Sequence, residues 1–126
     1  LTTDISPLAV EGRLTVDSYG PGRFKIAGRS YQGSILLGRD GLQAWDVSDP
    51  AALGPESLNP LIGLEPRCEV VLLGCGARMT LVPSAIRAAW RERGLSVDIM
   101  DTGAACRTFN VLVAEDRLVR AALIAV

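Results

Sequence analysis

The chain has 126 residues, a formal net charge of -1, and 48 % hydrophobic side chains of which few are aromatic. That length buries an aliphatic core of Val, Leu, Ile and Ala, and the charge balance excludes the basic footprint of a nucleic-acid binder. Histidine is absent, which removes Ser-His and Cys-His catalysis and the H-E-x-x-H zinc sites together.

Read as a single domain over 1–126, the chain divides into three stretches. From Leu1 to Gly22 the residues show no period and close on the breakers Tyr19-Gly20-Pro21-Gly22, so 1–22 is expected to be an irregular lead-in. Stretch 23–47 reads as antiparallel β. Phe24, Ile26, Tyr31, Ile35 and Leu37 alternate with polar residues around Ala27-Gly28-Arg29, and Asp40-Gly41 marks a second tight turn before Leu42 to Val47.

Stretch 48–126 reads as α/β. Gly54-Pro55 and Pro60 interrupt an apolar pattern that predicts a short helix near Glu56 to Ile62. Glu69 to Leu73 is an unbroken aliphatic run, the mark of a strand covered on both faces, and it ends at Gly74-Cys75-Gly76. After Leu81-Val82-Pro83 a helix runs to Arg93 with Ile86, Ala89 and Trp90 on one side, and Gly94 stops it. Leu95 to Met100 returns as a strand. The right-handed crossover rule makes these two strands parallel, with their carboxyl ends on one edge. A second helix, Thr102 to Ala114, puts Ala105, Phe109, Leu112 and Val113 on one face and Gly103, Arg107, Asn110 and Ala114 on the other. Asp116 turns the chain into a last strand, Leu118 to Val126.

The candidate site is the hollow outside those carboxyl ends, where a helix start offers free backbone N–H groups: Gly74, Cys75, Gly76, Asp101, Thr102, Gly103, Cys106, Arg107 and Asn110. Asp101 is expected to cap the second helix. Gly103-Ala104-Ala105 keeps the helix start slim, for close packing or for a ligand. Cys106 stands where a helix dipole lowers a thiol pKa, yet has no histidine to assist it, and Arg107 is the polar side chain best suited to hold a carboxylate. Gly74-Cys75-Gly76-Ala77-Arg78-Met79 lacks the third glycine of the dinucleotide fingerprint and leads into Thr80-Leu81-Val82-Pro83 instead of a helix start. No cofactor is expected, and no metal. Cys68, Cys75 and Cys106 are an odd number without C-x-x-C spacing and read as reduced thiols. The arginines are scattered along the chain, with Lys25 the only lysine, and read as composition bias. The short apolar runs do not reach across a bilayer, and Leu1-Thr2-Thr3-Asp4 offers no signal-peptide start, so a cytoplasmic protein that is not integral to a membrane is expected.

Tyr19-Gly20-Pro21-Gly22, Gly33-Ser34, Trp45, Leu73-Gly74-Cys75-Gly76 and, above all, Met100-Asp101-Thr102-Gly103-Ala104-Ala105-Cys106-Arg107-Thr108-Phe109-Asn110 carry a resemblance. The stretch from Tyr19 to Ile124 resembles the domain-of-unknown-function family that includes mitochondrial complex I assembly factor 3. Cys75 stands where many relatives have Thr. The resemblance implies a three-layer α/β fold with a mixed central sheet and a smaller antiparallel part. It also implies a binding or assembly role with protein partners, extending to respiratory-complex or membrane-protein assembly, and it carries over no catalytic residue. Two readings stay open: a noncatalytic binding or assembly factor with a docking face, and a small-molecule or anion site at the strand ends with Arg107 as anchor, with or without a reaction.

Overall fold

The computed structural model describes residues 13–39 and 41–126. Alternating side chains build its central sheet. In β4 (Ile35–Gly38), Ile35 and Leu37 enter one core and Leu36 the other. In β6 (Val70–Gly74), Leu72 faces the first core while Val71 and Leu73 face the second, and β8 (Val119–Leu123) splits Ala121 and Leu123 from Ala122 in the same way. With β5 (Gly41–Ala44) and β7 (Val97–Met100) these strands form a five-stranded sheet in the order β5-β4-β8-β6-β7. β6 lies parallel to both β7 and β8, whereas β4 runs antiparallel to β5 and β8. The sheet is therefore mixed, as expected.

One face carries helix α2 (Thr102–Ala114) and a separate three-stranded antiparallel sheet, β1 (Val16–Gly20), β2 (Arg23–Ile26) and β3 (Arg29–Gln32). Phe24, Ile26 and Tyr31 of that sheet meet Cys106, Phe109 and Val113 of α2 in the first core. The other face carries helix α1 (Ser84–Glu92) and the irregular stretch from Trp45 to Leu61, packed around Trp90. These are the three layers.

Several sequence readings need correction. Part of the lead-in is a strand: β1 pairs with β2, and its polar residues hid it because only Val16 is buried in it. The antiparallel stretch is two units, since the chain leaves the small sheet at Gly33 (φ 84) and enters the central one at Ile35. The helix expected near Glu56 to Ile62 is only a 3₁₀ turn, Asn59–Leu61, because Pro60 supplies no amide for a longer ladder. The first hairpin turns where expected, with Ala27 and Gly28 both at positive φ. Residues 1–12 of the lead-in, and Asp40 of the second turn, lie outside the described residues.

Candidate functional site

β6, β7 and β8 end side by side at Gly74, Met100 and Leu123, and α2 begins at Thr102, just beyond. Most of the amides at this edge are already engaged. Cys75 N donates to Met100 O (2.9 Å), Thr102 N to Gly76 O (2.9 Å) and Ile124 N to Gly74 O (3.0 Å). The fully buried Thr102 side chain fills the middle, its Oγ1 donating to Ile124 O (2.7 Å) and accepting from Gly76 N (2.8 Å). Gly74 has to be glycine here, because a Cβ would stand 2.9 Å from both Cα and Oγ1 of Thr102. Asp101 caps α2 by accepting from Ala104 N (2.8 Å). The Thr102 side chain and these bonds thus fill the middle of the edge.

The remaining candidates diverge. Gly103 faces into the protein, against the sequence reading of the helix faces: a Cβ there would collide with the Tyr19 hydroxyl, so the slim helix start serves packing by β1. Asn110, also assigned to the outer face, pins β1. Its Oδ1 accepts from Val16 N (2.8 Å) and its Nδ2 donates to Val16 O (2.9 Å), replacing the partner that an edge strand lacks. Tyr19 and Val16 are the residues that sequence reasoning missed. Cys75 lies in the α1-side core and Cys106 in the α2-side core, so the sheet separates them. Arg107 is exposed and forms no ion pair among the described residues.

Burial pushes the Cys106 thiol up to about 12, with Arg107 nearby opposing and Asp101 reinforcing the shift; Cys75 is raised by burial as well. A thiol of this kind holds almost no thiolate at neutral pH. In the native protein, iodoacetamide at pH 7 is therefore expected to label half-buried Cys68 well ahead of Cys106, read by peptide mass spectrometry. Unfolding, which restores an ordinary thiol, becomes easier as pH rises above about 9, because the unfolded chain then loses a proton that the folded one keeps.

A cavity of about 330 Å³ lies at the opposite edge, among the amino ends of the parallel strands. Leu37, Leu42, Leu61, Leu64 and Val119 line it, with Arg39 and Arg120 at its polar part. Arg120 donates to Pro66 O (2.8 Å), and Arg39 pairs with Asp116 at 3.0 Å. Among the described residues no helix is long and apolar enough to cross a membrane, and no three metal-ligating side chains converge.

The pattern of the family described as "Protein of unknown function (DUF498/DUF598)" matches residues 16–124, from β1 to just past β8. The chain belongs to this family. A Danio rerio protein named NADH dehydrogenase (ubiquinone) 1 alpha subcomplex assembly factor 3 is 37 % identical over 107 residues, covering 85 % of this chain and 62 % of that protein. The chain thus spans about 60 % of the length of such curated relatives. A crystal structure of a Bordetella parapertussis protein, 32 % identical, superposes with a TM-score of 0.83 over 93 % of this chain and 99 % of that one. An outer membrane protein from Bartonella henselae, 39 % identical, gives a TM-score of 0.80 over 90 % and 96 %.

Proposed function

We propose that this family member is a noncatalytic assembly factor that docks a protein partner, a subunit of a respiratory NADH dehydrogenase, at the carboxyl edge of its central sheet. The role is drawn from the relatives named as assembly factors. The place is drawn from the loop after Gly76, where Met79 is 59 % and Leu81 87 % exposed, on the edge where Tyr19 leans over Gly103. The single observation that carries it is Leu81: a bulky apolar side chain held almost wholly in water gains only when something covers it. Exposed Arg78 supplies charge in the same loop. The anion-site reading has less support, because most of the amides it would use are bonded within the chain and the thiol beside them stays protonated.

Crosslinked affinity capture from the native cell tests the proposal. Leu81→Asp is expected to weaken partner binding roughly tenfold or more, as loss of an apolar anchor does, while leaving the melting temperature unchanged. An NADH dehydrogenase subunit recovered equally well with the variant, or not recovered with the wild type, would overturn it.

A further inference from the structure

Three of the arginines that look scattered in sequence converge in space. Arg87 and Arg91 stand one turn apart on α1, and Arg67 comes from the segment leading into β6. Together with Gly94, Leu95, Ser96 and Val97 they line an open cavity of about 380 Å³, and no Asp or Glu is among the lining residues. None of the three forms an ion pair among the described residues. Arg67 donates one N–H to Gly94 O (3.3 Å), and Arg87 donates Nε–H to Val82 O (3.1 Å). A guanidinium carries five N–H donors, so most remain to be used.

The ordinary role for arginines near a helix end is to answer its last carbonyls. Here that role is filled by backbone: Arg93 N, Gly94 N and Leu95 N donate to the Ala89, Trp90 and Arg91 carbonyls. The absence of a side chain at Gly94 lets the Arg67 guanidinium lie over the turn, 3.5 Å from where a Cβ would stand. Three like charges around one space repel each other and call for a counter-charge.

The geometry points to a binding site for a phosphate-type polyanion, such as a phosphate ester or pyrophosphate, between Arg67, Arg87 and Arg91, independent of the docking edge proposed above. One carboxylate has a single charge and two oxygens to share among three forks. A phosphate group has more of both, and arginine forks match its oxygens two at a time. The same chemistry is offered by a free phosphoester and by an anionic lipid headgroup.

Isothermal titration of the chain with pyrophosphate at low ionic strength, and co-sedimentation with phosphatidylcholine vesicles containing phosphatidic acid, test the site and separate its two sources. Arg67→Ala and Arg91→Ala are each expected to weaken binding about tenfold or more, the loss of one charge-assisted fork. Arg29→Ala on β3, which removes the same charge elsewhere, is expected to leave binding unchanged. Saturable pyrophosphate binding with this pattern supports the site with a soluble ligand, and vesicle binding alone with this pattern supports it with a headgroup. Binding to neither probe, or equal weakening in all three variants, overturns it. Unchanged circular dichroism shows that these exposed substitutions leave the fold in place.

Discussion

Thr102→Val is expected to lower the unfolding free energy by about 2–6 kcal/mol, although it replaces a hydroxyl with a methyl of nearly the same size. Among the described residues, the hydroxyl is the only side-chain group that joins the ends of β6 and β8: it takes the Gly76 N–H and gives its own proton to Ile124 O. Valine leaves that buried donor and that buried acceptor without partners in a place water does not reach, since Thr102 is fully buried. Each orphan costs about 1–3 kcal/mol, which is where the range comes from. In a domain of this size the loss amounts to a fall in melting temperature on the order of 10 °C. Thr102→Ser keeps both bonds and is expected to lose only the methyl packing, on the order of 1 kcal/mol. Thermal denaturation of the pair checks the claim, and equal losses would refute it by assigning the whole effect to volume.

The parts legible in the sequence are those whose periodicity has one solution. The aliphatic run of β6, the apolar stripe of α2 with Asp101 as its cap, and the Pro83 and Gly94 limits of α1 are local patterns, and all three recur in the structure. β1 is different. Asp17, Ser18 and Tyr19 are exposed, so no alternation marks it, and its extended form is held by β2 and by the Asn110 amide 94 residues away. The candidate site was legible as a place and not as a space. Sequence order brings Gly74 to Gly76 and Asp101 to Gly103 to one edge once the crossover rule is applied. Whether that edge is open depends on the Thr102 rotamer reaching Ile124, and no one-dimensional pattern encodes that contact. The arginine cavity was hidden for the same reason: Arg67 and Arg91 lie far apart in sequence, and only the pairing of β6 with β7 draws their neighbourhoods together.

Trp90 anchors the opposite layer, and two substitutions there are expected to part widely. The side chain is fully buried in the α1-side core, and its indole N–H has no hydrogen-bond partner among the described residues. Trp90→Ala leaves a cavity that Val71, Leu73 and Val82 cannot close without moving the helix off the sheet, a cost of about 3–5 kcal/mol. Trp90→Phe gives up part of the same volume but also removes a donor whose burial costs about 1–3 kcal/mol, so the two terms oppose each other. Its net loss is expected to stay below about 1.5 kcal/mol. Trp45 provides the contrast, because its Nε1 donates to Ser57 O at 3.0 Å and fastens the irregular stretch against the sheet. Trp45→Phe loses volume and a satisfied bond together, with no relief to offset them, so it is expected to destabilise more than Trp90→Phe despite the greater burial of Trp90. Urea unfolding of the three variants measures the ordering directly, and a Trp90→Phe loss equal to or larger than that of Trp45→Phe would show that volume, and not the unpaired N–H, governs this core.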